Sequence, residues 1–126
     1  MKRLWLSLLC LCAVHLSGSA HVLDQYLQVT QIALAPDGVR IELRLIPGVQ
    51  VADRVFARMD ADGDGQISAA EEQAYAQLVW QDLRLSINEK NIALTITETQ
   101  FPTRQAMRAG LGAIRLTCTA AVALHG

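Results

Sequence analysis

The chain has 126 residues, 52% of them hydrophobic, and a formal net charge of −1. That length holds one small domain, and no internal repeat or low-complexity tract argues for more. Without a basic patch or interleaved aromatic residues, there is nothing to hold a phosphate backbone or to stack bases, so nucleic acid is excluded as a partner.

Residues 1–20 read as a secretory signal peptide. Lys2 and Arg3 form a basic start, Leu4 to Leu16 an apolar run, and Gly18-Ser19-Ala20 a small-residue cleavage site. The expectation is an exported domain over residues 21–126, periplasmic or secreted. An uncleaved leader facing the periplasm is the alternative, although its apolar run is short for a bilayer. Removing Lys2 and Arg3 takes the 11 basic residues to 9 against 12 acidic ones, a mature charge near −3. Cys10 and Cys12 leave with the leader, so Cys118 has no partner for an internal disulfide.

In chain order, Tyr26 to Leu34 predicts a strand whose alternation slips near Thr30 and Gln31, as at a bulge. Pro36-Asp37-Gly38 signals a hairpin turn. Val39, Ile41, Leu43 and Leu45 then alternate with Arg40, Glu42 and Arg44, which predicts a strand with one buried and one wet face. After Pro47-Gly48, Val51, Val55, Phe56 and Met59 recur at helical spacing.

The stretch Asp60-Ala-Asp-Gly-Asp-Gly-Gln-Ile-Ser-Ala-Ala-Glu71 follows directly. Its spacing suits a loop wrapped around a cation, with Asp60, Asp62 and Asp64 at the first, third and fifth positions. Gly65 allows the sharp turn at the sixth, Gln66 offers its backbone carbonyl, Ser68 a hydroxyl or a bound water, and Glu71 both carboxylate oxygens. Asp and Gly are also the commonest turn residues. However, four carboxylates in twelve residues repel one another unless a cation lies among them. Oxygen-only ligands and a bidentate Glu point to Ca2+ rather than zinc or copper. Ser68 and Glu71 also form a capping box, so ligation and capping compete for Glu71.

The outgoing helix is predicted to about Trp80, with Ala74, Tyr75, Leu78 and Val79 inward. Leu83, Leu85 and Ile87, then Ile92, Leu94 and Ile96, predict a second hairpin through Asn88 to Asn91. Phe101-Pro102 breaks the pattern, Gln105 to Leu111 suggest a helical turn, and Ile114 to Ala120 a fifth strand with Cys118 on its apolar face. The expected fold class is α+β: antiparallel β-hairpins forming a small sheet or sandwich, with one helix–loop–helix over about residues 50–82 inserted between them.

The loop from Asp60 to Glu71 resembles that of EF-hand calcium-binding proteins, a likeness covering about a quarter of the chain. There is one such loop where soluble sensors pair two, and Glu72 stands where those sensors often place an apolar residue. A calmodulin-like switch is therefore not expected. More loosely, His21-Val-Leu-Asp-Gln-Tyr26-Leu, Leu45-Ile-Pro-Gly48-Val and Arg108-Ala-Gly-Leu-Gly-Ala-Ile-Arg115 resemble the exported N-terminal region of bacterial hydrogenase/urease accessory, nickel-permease-like membrane proteins. That resemblance implies a membrane-protein partner or a C-terminal membrane domain, and the chain's end without a clear final element reads as truncated. No metal-transport motif accompanies it.

The leading expectation is thus a non-enzymatic, exported calcium-binding module in which the ion braces the helix–loop–helix. The alternative is an extracytoplasmic accessory domain of a metal-transport membrane protein. Cleavage after Ala20 would expose His21, whose amine and imidazole together suit copper(II). The sequence offers no nucleophile motif, no interior His in the mature chain and no carboxylate pair outside the loop, so no catalysis is expected.

Overall fold

Residues 25–122 are described by a computed structural model. The expected signal peptide over residues 1–20, His21 and His125 lie outside them. Two strands of the hydrophobic alternation carry the sheet. In β2 (Gly38–Pro47) Val39, Ile41, Leu43 and Leu45 are buried while Arg40 is exposed and Glu42 and Arg44 are partly so. In β6 (Ile114–Ala121) Ile114, Leu116, Cys118 and Ala120 are buried. The two strands pair antiparallel with Leu43 opposite Leu116 and Ile41 opposite Cys118, so their apolar faces form one surface.

Outside this pair lie β1 (Tyr26–Ala35) and β5 (Thr95–Gln100), giving a four-stranded sheet in the order β1-β2-β6-β5. A separate two-stranded ribbon joins β3 (Leu85–Ile87) to β4 (Lys90–Ile92). Among the described residues three helices complete the α+β fold: α1 (Ala52–Met59), α2 (Ala69–Gln81) and α3 (Arg104–Arg108). They cover one end of the sheet. Leu43, Leu45, Ile114 and Leu116 form a core with Ala52, Phe56 and Met59 of α1, Ala76 of α2 and Met107 of α3. The architecture is a single layered sheet rather than a sandwich.

The bulge expected near Thr30 and Gln31 is not there. β1 pairs with β2 in unbroken register from Tyr26 opposite Pro47 to Ala35 opposite Gly38. The shift occurs instead in β5, where Ile96 faces Cys118 and Glu98 faces Thr117, leaving Thr97 as the extra residue. Its hydroxyl donates to the Thr117 carbonyl at 3.2 Å. With Thr97 paired in unbroken register, Glu98 would share the core-side face with Ile96, because side chains two apart on a strand point the same way. With Thr97 bulged out, Thr99 takes that face opposite Leu116, and Glu98 reaches Arg40 at 3.5 Å on the other.

Two further expectations need correction. The second hairpin is shorter than the apolar run suggested. Its strands stop at Ile92, and Ile96 belongs to β5 of the main sheet. Its turn is the two residues Asn88 and Glu89, both at positive φ (49° and 64°), as a type I′ turn requires. On α2, Ala74 and Leu78 face solvent, whereas Ala76 and Glu71 are buried. Apolar residues occur all around this helix, so spacing alone does not select a face. The inner face follows Ala76, small enough to sit against the core, and Tyr75, whose ring meets Phe101 edge-on at 5.9 Å.

α3 is held by both of its ends. The Thr103 hydroxyl accepts from the Ala106 amide at 3.2 Å. Gly110, at φ 72°, closes the helix with its amide on the Met107 carbonyl and the Leu111 amide on that of Ala106. The short helix thereby puts Arg104 and Arg108 against α1.

Candidate metal centre

The segment from Asp60 to Glu71 joins α1 to α2, and each helix fixes one end of it. Asp60 is the last residue in contact with α1, its amide donating to the Phe56 carbonyl at 2.9 Å. Ser68 is the N-cap of α2, with extended backbone and a hydroxyl that accepts from the Glu71 amide at 3.4 Å. The capping box is complete, since the Ser68 amide donates to Glu71 Oε2 at 2.8 Å.

Between these ends the acidic side chains bend back onto the loop's own amides. Asp62 Oδ1 accepts from the Asp64 amide at 3.0 Å, and Asp64 Oδ1 from the Gln66 amide at 2.7 Å. Asp60 Oδ2 accepts across the loop from the Gly65 amide at 3.0 Å. Gly65 has φ 85°, a conformation that side-chain-bearing residues rarely adopt, and the loop turns there.

Glu71 is the hub. Its Oε1 accepts from the Ala61 amide at 2.6 Å and the Asp62 amide at 3.2 Å, and its Oε2 from the Ser68 amide and hydroxyl, both at 2.8 Å. Four donors thus occupy the roughly four acceptor positions of one carboxylate. They hold its pKa down at about 2, the Ser68 amide contributing most, then the Ser68 hydroxyl, then the amides of Asp62 and Ala61.

Of the six residues expected to ligate, the structure brings Asp60, Asp62 and Glu71 together, with one oxygen of each within 4.8 Å of the others. Asp64 does not join that cluster, and its Oδ1 is turned to the Gln66 amide. Ser68 is adjacent through its bond to Glu71, while Gln66 is exposed. One atom in the cluster has no partner: Asp60 Oδ1 is shut off from solvent and accepts no hydrogen bond. A buried carboxylate oxygen without a donor is costly, and a cation is one way to satisfy it.

Ile67, the loop's one large apolar side chain, is partly buried against the same core that holds Phe56 and Met59. With Gly65, Gln66, Phe101 and Arg104 it lines a cleft beside the loop. The Arg104 guanidinium lies 5.4 Å from the centre of the Phe56 ring and donates to Asp53 at 3.0 Å, and Arg108 donates to the same Asp53 oxygen at 2.8 Å. These contacts brace the incoming helix from its far side. Nothing in the local sequence announced them, because the partners are 51 and 55 residues apart. On the other side of the helix–loop–helix, Thr99 donates to Glu72 at 3.4 Å, linking α2 to β5.

Cys118 is buried, and burial pushes its thiol up to about 11, which keeps it protonated and unreactive. Compared with family models, curated proteins and solved structures, the chain matches none. The EF-hand likeness therefore rests on the loop's own residues.

Proposed function

We propose that the loop from Asp60 to Glu71 binds one calcium ion in the manner of an EF-hand, and that the ion braces α1 and α2 against the sheet. The observation that carries this reading is the convergence of Asp60, Asp62 and Glu71 around a buried, unpartnered Asp60 oxygen. All the groups on offer are hard oxygen donors. That composition favours calcium, and its tolerance of irregular spheres suits a loop in which Asp64 stands apart more than the strict octahedron of magnesium does.

Glu71 sets the energetics. A cation taking both of its oxygens displaces some of the four donors that hold it, including those of the α2 cap. Binding thus exchanges existing hydrogen bonds for ligand bonds, which places the affinity in the weak part of the range for such loops, roughly micromolar to millimolar. Ile67 supports a hand that works alone. Its side chain rests on the chain's own core, where a paired hand would use a twin.

Titration calorimetry with calcium chloride tests the reading. Saturable one-to-one binding that Asp60→Asn and Glu71→Gln each weaken is the expected result. No detectable binding at millimolar calcium would overturn it.

A further inference from the structure

The main sheet ends in two edges that are built differently. β5 is six residues long, is interrupted by the Thr97 bulge, and carries Glu98. Short length, a bulge and a charge all block the addition of another strand. β1 has none of these. It runs ten residues, YLQVTQIALA, without a charged residue, a proline or a break in register. Among the described residues nothing pairs with its outer side. Its apolar side chains are open, with Leu27 56%, Ile32 57% and Leu34 69% exposed.

The outward amides and carbonyls of alternate residues along this strand form a row that an extended strand can pair in full. We propose that a second copy of this chain supplies it, its β1 pairing antiparallel with this β1 about a two-fold axis perpendicular to the sheet. Two four-stranded sheets then become one of eight strands. Three features favour a copy over an unrelated strand. An uncharged strand meets itself without placing like charges opposite each other. The two-fold keeps the helix layers of both copies on the same side, so Ile32 and Leu34 of each lie along the same face of the joined strands. Finally, the pairing closes, because it uses both β1 edges and leaves outside only the two blocked β5 edges.

Sedimentation equilibrium of the purified protein across a concentration series tests this, with Ile32→Lys/Leu34→Lys as the edge variant. Both positions are exposed, so the fold tolerates the change. Lysines repelling across the two-fold should raise the dimer dissociation constant at least about 100-fold. Leu111→Lys, at an 84% exposed site outside the sheet, should leave it unchanged. Mixing the lysine variant with Ile32→Glu/Leu34→Glu should restore a one-to-one dimer, which a misfolded variant could not do. Amide exchange in β1 should slow with rising concentration. A monomeric wild type, a dimer indifferent to the lysines, or a mixture that fails to reassociate would each overturn the proposal.

Discussion

Two connections that contain residues at positive φ, the Asp60–Glu71 loop and the Asn88–Glu89 hairpin, hold their backbones by opposite means. In the first, side chains dictate the path: Asp60, Asp62, Asp64 and Glu71 all accept from loop amides, and a glycine takes the left-handed conformation at Gly65. In the second, strand pairing dictates it. Ile87 faces Lys90, and two residues with side chains are forced to positive φ between them. The first turn has spare chemical capacity in an unpartnered carboxylate oxygen, whereas the second holds only strain. A loop with an oxygen left over for a ligand and a passive connector are thus distinguishable by what fixes the backbone.

The widest separation should come from Glu71→Gln. With calcium at a hundredfold excess over its dissociation constant, binding to the folded state adds about 2.7 kcal/mol. For a domain of this size that raises the melting temperature by on the order of 10 °C. Glu71→Gln should remove most of that rise, and Trp80, which lines the groove between α2 and β5, should lose its calcium-dependent emission change. Without calcium the same residue gives a pH signature. Its folded pKa of about 2 lies below the ordinary glutamate value of 4.5, so the unfolded chain binds more protons between those values. Its contribution is complete above pH ~4.5 and disappears as pH falls toward 2. Acid melts of the wild type in chelator should show that decline, and the Gln variant should lack it. Equal acid sensitivity in the two proteins would mean that Glu71 is not the hub.

Gly65→Ala comes next. A Cβ at this position meets no atom within 4 Å, so the cost is conformational alone: φ 85° is strained for any side chain. A loss of about 1–2 kcal/mol is expected in chelator. Since the Gly65 amide also donates to Asp60, calcium affinity should fall with it. An unchanged melting temperature would show that the loop turns elsewhere.

How far these regions were legible in the sequence follows from how each is held. The loop was legible because its bonds are local, spanning ten residues or fewer. β2 and β6 were legible because one face of each is buried and enforces the period of two. The slip near Thr30 and Gln31 misled because β1 is open along almost its whole length, and an open strand has no reason to keep its alternation. Thr97 gave no composition signal. Its role depends on keeping Glu98 off the core face, and that face is defined by β6, twenty residues later. The cluster of Asp60, Asp62 and Glu71 matched the spacing, while the separation of Asp64 is a matter of geometry that spacing does not carry.

The hairpin offers the converse test to Gly65→Ala. At φ 64°, Glu89 occupies a conformation that costs a residue with a side chain about 1–2 kcal/mol, and glycine avoids that cost. Glycine also loses more freedom on folding, which offsets roughly 0.5–1 kcal/mol of the gain. Glu89→Gly should therefore stabilise by about 0.5 kcal/mol, read as a small upward shift in melting temperature with calcium affinity untouched. A decrease would mean that the Glu89 side chain contributes something the backbone strain conceals.

The smallest effect belongs to Asp53→Asn, which asks whether stability and ion binding separate on the helix that leads into the loop. Asp53 is half exposed, and one of its oxygens accepts from both Arg108 and Arg104. Those bonds, Arg108's first, hold its carboxyl below the usual range. A lowered folded pKa means that its contribution is present above the ordinary carboxylate pKa and declines as pH falls through the depressed one. Because solvent and salt screen the pair, the loss at neutral pH should be slight and should shrink further in high salt. The calcium-induced rise in melting temperature should survive intact, since no loop oxygen is touched. If Asp53→Asn instead reduced that rise as Glu71→Gln does, the tie from α1 to α3 would be part of the ion's site, and the brace would run through the helices rather than through the loop.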